Sequence, residues 1–178
     1  LKLGRRLAQR VHDRGGGLIE VHLVAHHLAR LDQRRPLSLT PVDLAAIAGD
    51  AVHDARAVQP DRPITLHLDE SLTDVPVVLG DEGRLRQVVG NLVINALTHT
   101  PPGTRVGVSI GQDADGDVLL LRVSDEGPGM DAADAARAFE RFYRADTSRT
   151  RDGAEAGGSG LGLAIVASLV EAHGGTIA

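Results

Sequence analysis

The chain has 178 residues, 42% of them hydrophobic, with one Tyr, two Phe, no Trp, no Cys and a formal net charge of -5. That suffices for one domain with a core of Leu, Val, Ile and Ala, and the missing Cys excludes disulfides and thiolate metal sites. The scarcity of aromatics and the acidic balance argue against a nucleic-acid surface. No apolar run approaches the roughly 20 residues of a membrane span and no signal peptide is visible, so a cytoplasmic protein is expected.

In chain order, the first 36 residues differ from the rest. Gly15, Gly16 and Gly17 would break any helix, and residues 18–33 (LIEVHLVAHHLARLDQ) carry apolar positions near helical spacing, which predicts a short helix. Thr40 is the expected N-cap of the next helix, with Pro41 at its first position and Asp43 three after the cap. Its apolar stripe is Leu44, Ile47, Ala48, Ala51, Val52 and Ala55, and it ends near Pro60. ITLHL (64–68) alternates as a strand, and VPVVL (75–79) makes a second, short one. Gly80 and Asp81 open a long helix to about Thr98, stopped by Pro101 and Pro102. RVGVSI and VLLLRVSD read as paired strands around the turn-rich QDADGD. After a polar, glycine-rich stretch at 145–160, LGLAIVASLVEAH is a final helix that leads into a strand. This order predicts helices packed on one face of a sheet.

Three stretches carry chemistry. Along the 81–98 helix the buried stripe is Leu85, Val88, Val89, Leu92 and Ala96, while Gln87, Asn91, Asn95 and His99 fall on another face. Asn is a poor helix former, so two on one face need a reason. On the helix alone the ordinary reading is solvated surface or hydrogen-bonded amides. DEGPGM (125–130) ends a strand with an acid and two glycines, where backbone can approach a ligand; alone it is an ordinary turn. GGSGLGLAIV (157–166) runs glycines into a helix start, a ready phosphate site or simply a flexible loop.

In this order and spacing the three resemble the N, G1 and G2 boxes of the ATP-binding domain of sensor histidine kinases, in the wider group with gyrase, Hsp90 and MutL. ERFYR (140–144) resembles the F box. The resemblance covers residues from about 38 to 178. It implies an α+β fold, the Bergerat-type two-layer α/β sandwich of a mixed sheet packed by three helices, with ATP between the long helix and a lid at about 145–160. The cofactors it implies are ATP and Mg2+. Asn95 matches the magnesium ligand, in keeping with a hard cation's preference for oxygen, and Asn91 lies one turn earlier toward the phosphates. Asp125 matches the acceptor for the adenine amino group, with Gly127 and Gly129 beside the base. Gly158, Ser159, Gly160, Leu161 and Gly162 match the lid and phosphate loop, and His99 a position beside the nucleotide, with a plain helix-end residue as its equal alternative. Arg144, and with less support Arg141, are placed to meet the γ-phosphate, with a surface ion pair as the competing reading. Asn91, Asn95 and Arg144 form the implied catalytic set. Hydrolytic members of the group carry Glu where this chain has Asn91, so transfer to a neutral imidazole fits better than hydrolysis.

No His fits the family's phosphoacceptor motif. Gly17 follows His12 where Pro belongs, and Val58 follows His53. His22 and His26 lack a third ligand, and His173, before a helix-ending Gly-Gly, reads as structural. ARLDQ (29–33) resembles the end of the family's second dimerisation helix. The expected division is therefore 1–37 as a remnant of that helix and its linker, and 38–178 as the catalytic domain. Thr98 stands where many members have Lys or Arg, and the family continues into a further hairpin beyond GGTIA. The implied partner is a separate histidine-containing dimerisation protein, which in turn passes the phosphoryl group to a response regulator. The alternative is a non-catalytic nucleotide-binding regulatory module.

Overall fold

The structure, a computed structural model, describes residues 16–24, 37–143 and 160–178. Five strands form a mixed sheet in the order β3 (Ile64–Leu68), β5 (Val106–Gln112), β6 (Val118–Asp125), β1 (Leu18–Val24), β7 (Thr176–Ile177). β3 and β5 are parallel and the other neighbours antiparallel. β2 (Thr40–Asp43) and β4 (Val77–Gly80) make a separate antiparallel ribbon. The helices are α1 (Leu44–Val58), α2 (Glu82–His99), α3 (Ala132–Arg137) and α4 (Gly162–Ala172).

The core lies between one sheet face and α1, α2 and α4. α1 buries Leu44, Ile47, Ala48, Val52 and Ala55, and α2 buries Leu85, Val88, Val89, Leu92, Val93 and Ala96. They meet Val21, Val106, Val108, Ile110, Leu121 and Val123 of the sheet. On the opposite face, Glu20 bridges Arg122 and His22. Burial alone would raise the Glu20 carboxyl, but its hydrogen bonds and charge contacts with Arg122 and His22 hold it below its ordinary range. The α+β sandwich expected from the sequence is therefore present, with three helices covering the sheet and α3 burying no residue.

Two expected elements differ. The predicted helix over 18–33 is a strand over its first seven residues, and the remainder lies outside the described residues. Ile19, Val21 and Leu23 face the core while Glu20 and His22 face outward, a period of two that β6 on one side and β7 on the other can pair. The first residues of the expected helix at Thr40 are instead strand β2, because Thr40 to Asp43 pair with Gly80 to Val77. Asp43, not Thr40, is the N-cap: its Oδ1 accepts from the N–H groups of Ala45 at 2.8 Å and Ala46 at 3.2 Å. Pro41 is tolerated because a two-stranded ribbon is all edge.

α2 begins as its sequence predicts. The Asp81 carboxylate accepts from Arg84 N–H at 3.1 Å and from Ser38 N–H at 3.1 Å, so Asp81 both caps the helix and ties down the preceding segment. Those bonds, Arg84's first, hold its carboxyl below the ordinary range. His173 is structural, as expected. Its Nε2 accepts the Asp81 N–H at 3.0 Å, so Nδ1 carries the proton and donates to Leu169 O at 2.7 Å.

Candidate nucleotide site

The site is arranged along α2. Asn91, Asn95 and His99 recur every four residues on one side of it, with both asparagines half-buried. At one end, Asn91 Nδ2 donates to the carbonyl of Gly162, the first residue of α4, at 3.4 Å. No side chain caps α4, whose N-cap position is Leu161. Its first N–H groups and the positive end of its dipole make an anion site beside Asn91.

At the other end, α2 stops at His99 and Thr100, beside the DEGPGM loop. A Cβ on Gly127 would lie 2.5 Å from Thr100 Cγ2 and 2.7 Å from Asp125 Oδ1, so only glycine permits the loop to pack here. Asp125 closes β6, and its Oδ1 accepts from Gly127 N–H at 2.9 Å and from Gly17 N–H at 3.3 Å. Gly129 has φ +70° and lies against Gly16. Asn91 and His99 are eight residues apart on α2, about 12 Å at 1.5 Å per residue. Asp125 and its glycine loop thus lie by the C-terminal end of α2, and the α4 N-terminus lies by Asn91, about two helical turns back.

Arg62, which the sequence does not mark, ties the base end together. It is only 5% exposed. Its Nε donates to Thr104 O at 2.9 Å, and its Nη1 to Leu97 O at 3.1 Å and Gln59 Oε1 at 3.0 Å. Its Nη2 donates to Thr100 Oγ1, which itself donates to Ala96 O at 2.6 Å. Burial lowers the guanidinium from its ordinary range, and the charge of Asp125 works against that. The guanidinium therefore satisfies Leu97 O in the last turn of α2 and Thr104 O beyond the helix, and buttresses the residue against which Gly127 packs.

Between α3 and the glycine loop, Phe142 has φ +64° and is 71% exposed, and its N–H donates to Gly160 O at 3.0 Å. Gly160 has φ +67°, and a Cβ there would lie 2.9 Å from Tyr143 O. Tyr143 donates its hydroxyl to Asp134, which raises the phenol's pKa, and its ring carries the Arg137 guanidinium 4.2 Å from the centroid. Arg141 is exposed on this turn, next to the Gly160 contact. Arg144, Gly158 and Ser159 lie outside the described residues, as do His12 and His26, and His53 is exposed on α1.

Among the described residues no cluster of three His, Cys, Asp or Glu could hold a metal. Between Asn91 and His99 on this face stands the Asn95 carboxamide. A single neutral oxygen fits Mg2+ that keeps waters and arrives with substrate phosphates, as that ion usually binds. A cavity of about 340 Å³ lies elsewhere, between α1 and α2, lined by Ile47, Ala51, Val58, Val93, Ile94 and Leu97. Asn91, Asn95, His99 and Asp125 contribute nothing to its lining. No helix among the described residues is long and apolar enough to cross a membrane.

Comparison with known proteins bears on the family and the fold. Residues 80–178 match the family described as histidine kinase-, DNA gyrase B-, and HSP90-like ATPase. The probable sensor histidine kinase TcrY of Mycobacterium tuberculosis is 48% identical over 150 residues, 84% of this chain and 30% of TcrY. The solved mycobacterial sensor histidine kinase MprB superposes with a TM-score of 0.61 at 32% identity, covering 76% of this chain and 80% of that one. ShkA, solved full-length in complex with AMPPNP, gives a TM-score of 0.60 at 33% identity over 79% of this chain and 27% of that one. The chain spans less than half the length of the curated relatives it matches. With family match, sequence identity and fold in agreement, the chain belongs to the histidine kinase-, gyrase B- and HSP90-like ATPases, among the ATP-binding domains of sensor histidine kinases.

Proposed function

We propose that this chain binds Mg·ATP along α2 and donates the γ-phosphoryl group to a histidine on a partner protein, which then phosphorylates a response regulator. The observation that carries it is the pairing of two ends: Asp125 with its glycine loop, and the uncapped α4 N-terminus bonded to Asn91. The catalytic unit is residues 38–178 together with β1, working on the cytoplasmic side, where ATP is available.

Asp125 accepts the adenine amino group, and guanine would turn a carbonyl oxygen toward the same carboxylate. Gly127 and Gly129 let the backbone reach the base, and His99 flanks it. The α4 N-terminus, with Leu161 and Gly162, receives the phosphates, and Gly158, Ser159 and Gly160 are assigned to the same phosphate-binding run by their match to the family's motif. Asn95 would hold the Mg2+ that accompanies the phosphates, and when bound that ion neutralises their charge. Arg144, seconded by Arg141, neutralises the γ-phosphoryl group. In the reaction the bond from the γ-phosphorus to the β,γ-bridging oxygen breaks, a bond to imidazole nitrogen forms, ADP leaves and the imidazole proton is released. Asn91 cannot take a proton, so it orients phosphate and activates no water, which suits a nucleophile that is neutral and ready.

Incubation with γ-labelled ATP and Mg2+, with and without a histidine-bearing dimerisation domain, tests this. Acid-labile label on the partner alone, lost in Asn95→Ala and Asp125→Ala, is the expected result. Nucleotide binding without label on any partner would leave a regulatory binding module, and steady release of free phosphate would make the chain a hydrolase.

A further inference from the structure

β1 precedes residues 80–178, the stretch that matches the family, yet Gly17, the residue that leads into it, is built into the base end of the site. Asp125 N–H donates to Gly17 O at 2.9 Å, and Gly17 N–H donates back to Asp125 Oδ1 at 3.3 Å. One backbone residue thus holds both the main chain and the side chain of the acid. Gly127 N–H binds the same Oδ1 at 2.9 Å. With Oδ1 engaged by two donors, the carboxylate is set so that Oδ2 is the oxygen offered to a ligand.

The space at Gly17 is equally specific. A Cβ there would fall 2.5 Å from Asp125 Oδ2, 3.2 Å from Cγ and 3.3 Å from Oδ1, so its three nearest atoms all belong to that carboxyl group. Gly17 has no left-handed backbone that would demand glycine. A methyl group at this position would therefore leave the strand in place and turn the carboxylate. We propose that Gly17 is a positioning residue for adenine recognition, acting through Asp125, and that β1 is in this way a working part of the nucleotide site. The proposal rests on the reading of Asp125 as the adenine acceptor.

Dissociation constants for Mg·ATP and Mg·GTP, measured by titration calorimetry on the full chain and on Gly17→Ala, Asp125→Asn and Val21→Ala, test it. In the unsubstituted chain ATP binds more tightly than GTP, and Asp125→Asn erases the preference. Gly17→Ala weakens ATP by about tenfold, the loss of one well-placed hydrogen bond, while GTP is little changed, so the ratio falls. Val21→Ala, which loosens the same strand in the core, lowers Tm and keeps the ratio. A full ratio in Gly17→Ala when Asp125→Asn has lost it would overturn the positioning role and leave the nucleotide reading standing. A full ratio in Asp125→Asn would overturn both. If Gly17→Ala does not fold, amide exchange of the unsubstituted chain decides: Mg·ATP should slow exchange at Gly17 and along β1 more than Mg·GTP, and equal slowing would overturn the proposal.

Discussion

Replacing Arg62 by methionine keeps most of the buried stem and removes the guanidinium. Leu97 O and Thr104 O then lose their charged donor, while Thr100 Oγ1 keeps its bond to Ala96 O. Hydrogen bonds from a charged donor to two half-buried carbonyls are worth roughly 1.5–3 kcal/mol each. Relief of the guanidinium's own desolvation offsets part of this, because a buried charge is costly to hold out of water. The net loss should be about 3 kcal/mol, and for a chain of this size that lowers Tm by roughly 6–12 °C. Urea and thermal unfolding followed by circular dichroism measure it, with Gln59→Ala as the milder control, since it removes one partner of the guanidinium and leaves the bonds to both carbonyls in place. A loss below about 1 kcal/mol would refute the reasoning, because the bonds would then do no more than offset the burial of the charge.

Three other outcomes are expected. Gly127→Ala, with its methyl group forced against Thr100 and Asp125, should destabilise the fold by about 1–3 kcal/mol and weaken nucleotide binding further than that loss explains, as read by unfolding and calorimetry together. The Asp81 carboxyl is held below its ordinary range in the folded chain, so the unfolded chain binds the extra proton first. Its contribution is present at neutral pH and disappears as pH falls from the ordinary carboxylate range through the lowered folded value, and Asp81→Asn should flatten that part of the stability profile. Asn95→Ala should weaken ATP binding by tenfold or more with Mg2+ present and much less in excess chelator, and equal weakening in both would remove the ion from Asn95.

How much of this was legible in the sequence differs from element to element. α2 could be read to within a residue or two because its cap, its stripe and its stopping prolines all agree. The asparagine face, Asp125 and the glycine run could be picked out because each departs from what helix or strand propensity prefers, and such departures gather where function overrides folding. β1 was misread because its alternation covers only Ile19 to Leu23 and was averaged into a 16-residue window. Thr40 failed as a cap because strand pairing with residues 77–80 outweighed a local signal that Asp43 supplies equally well. α3 went unmarked although Asp131 caps it, since its six residues bury nothing and leave no apolar stripe. Arg62 left no trace because its four partners come from residues 59, 97, 100 and 104, which only the fold brings together.

The place of β1 in the sheet also bears on how the chain folds. Leu23 pairs with Leu119 and Val21 with Ile177, so this strand waits for one partner made about 100 residues later and another made about 155 later. Closing so long a loop costs only modest entropy, but contacts of such separation slow folding. During synthesis Ile19, Val21 and Leu23 emerge long before β6 exists to cover them. An open strand of that kind is what a chaperone would hold, and its rate of docking, rather than the packing of α1 and α2, should set the slowest step of refolding.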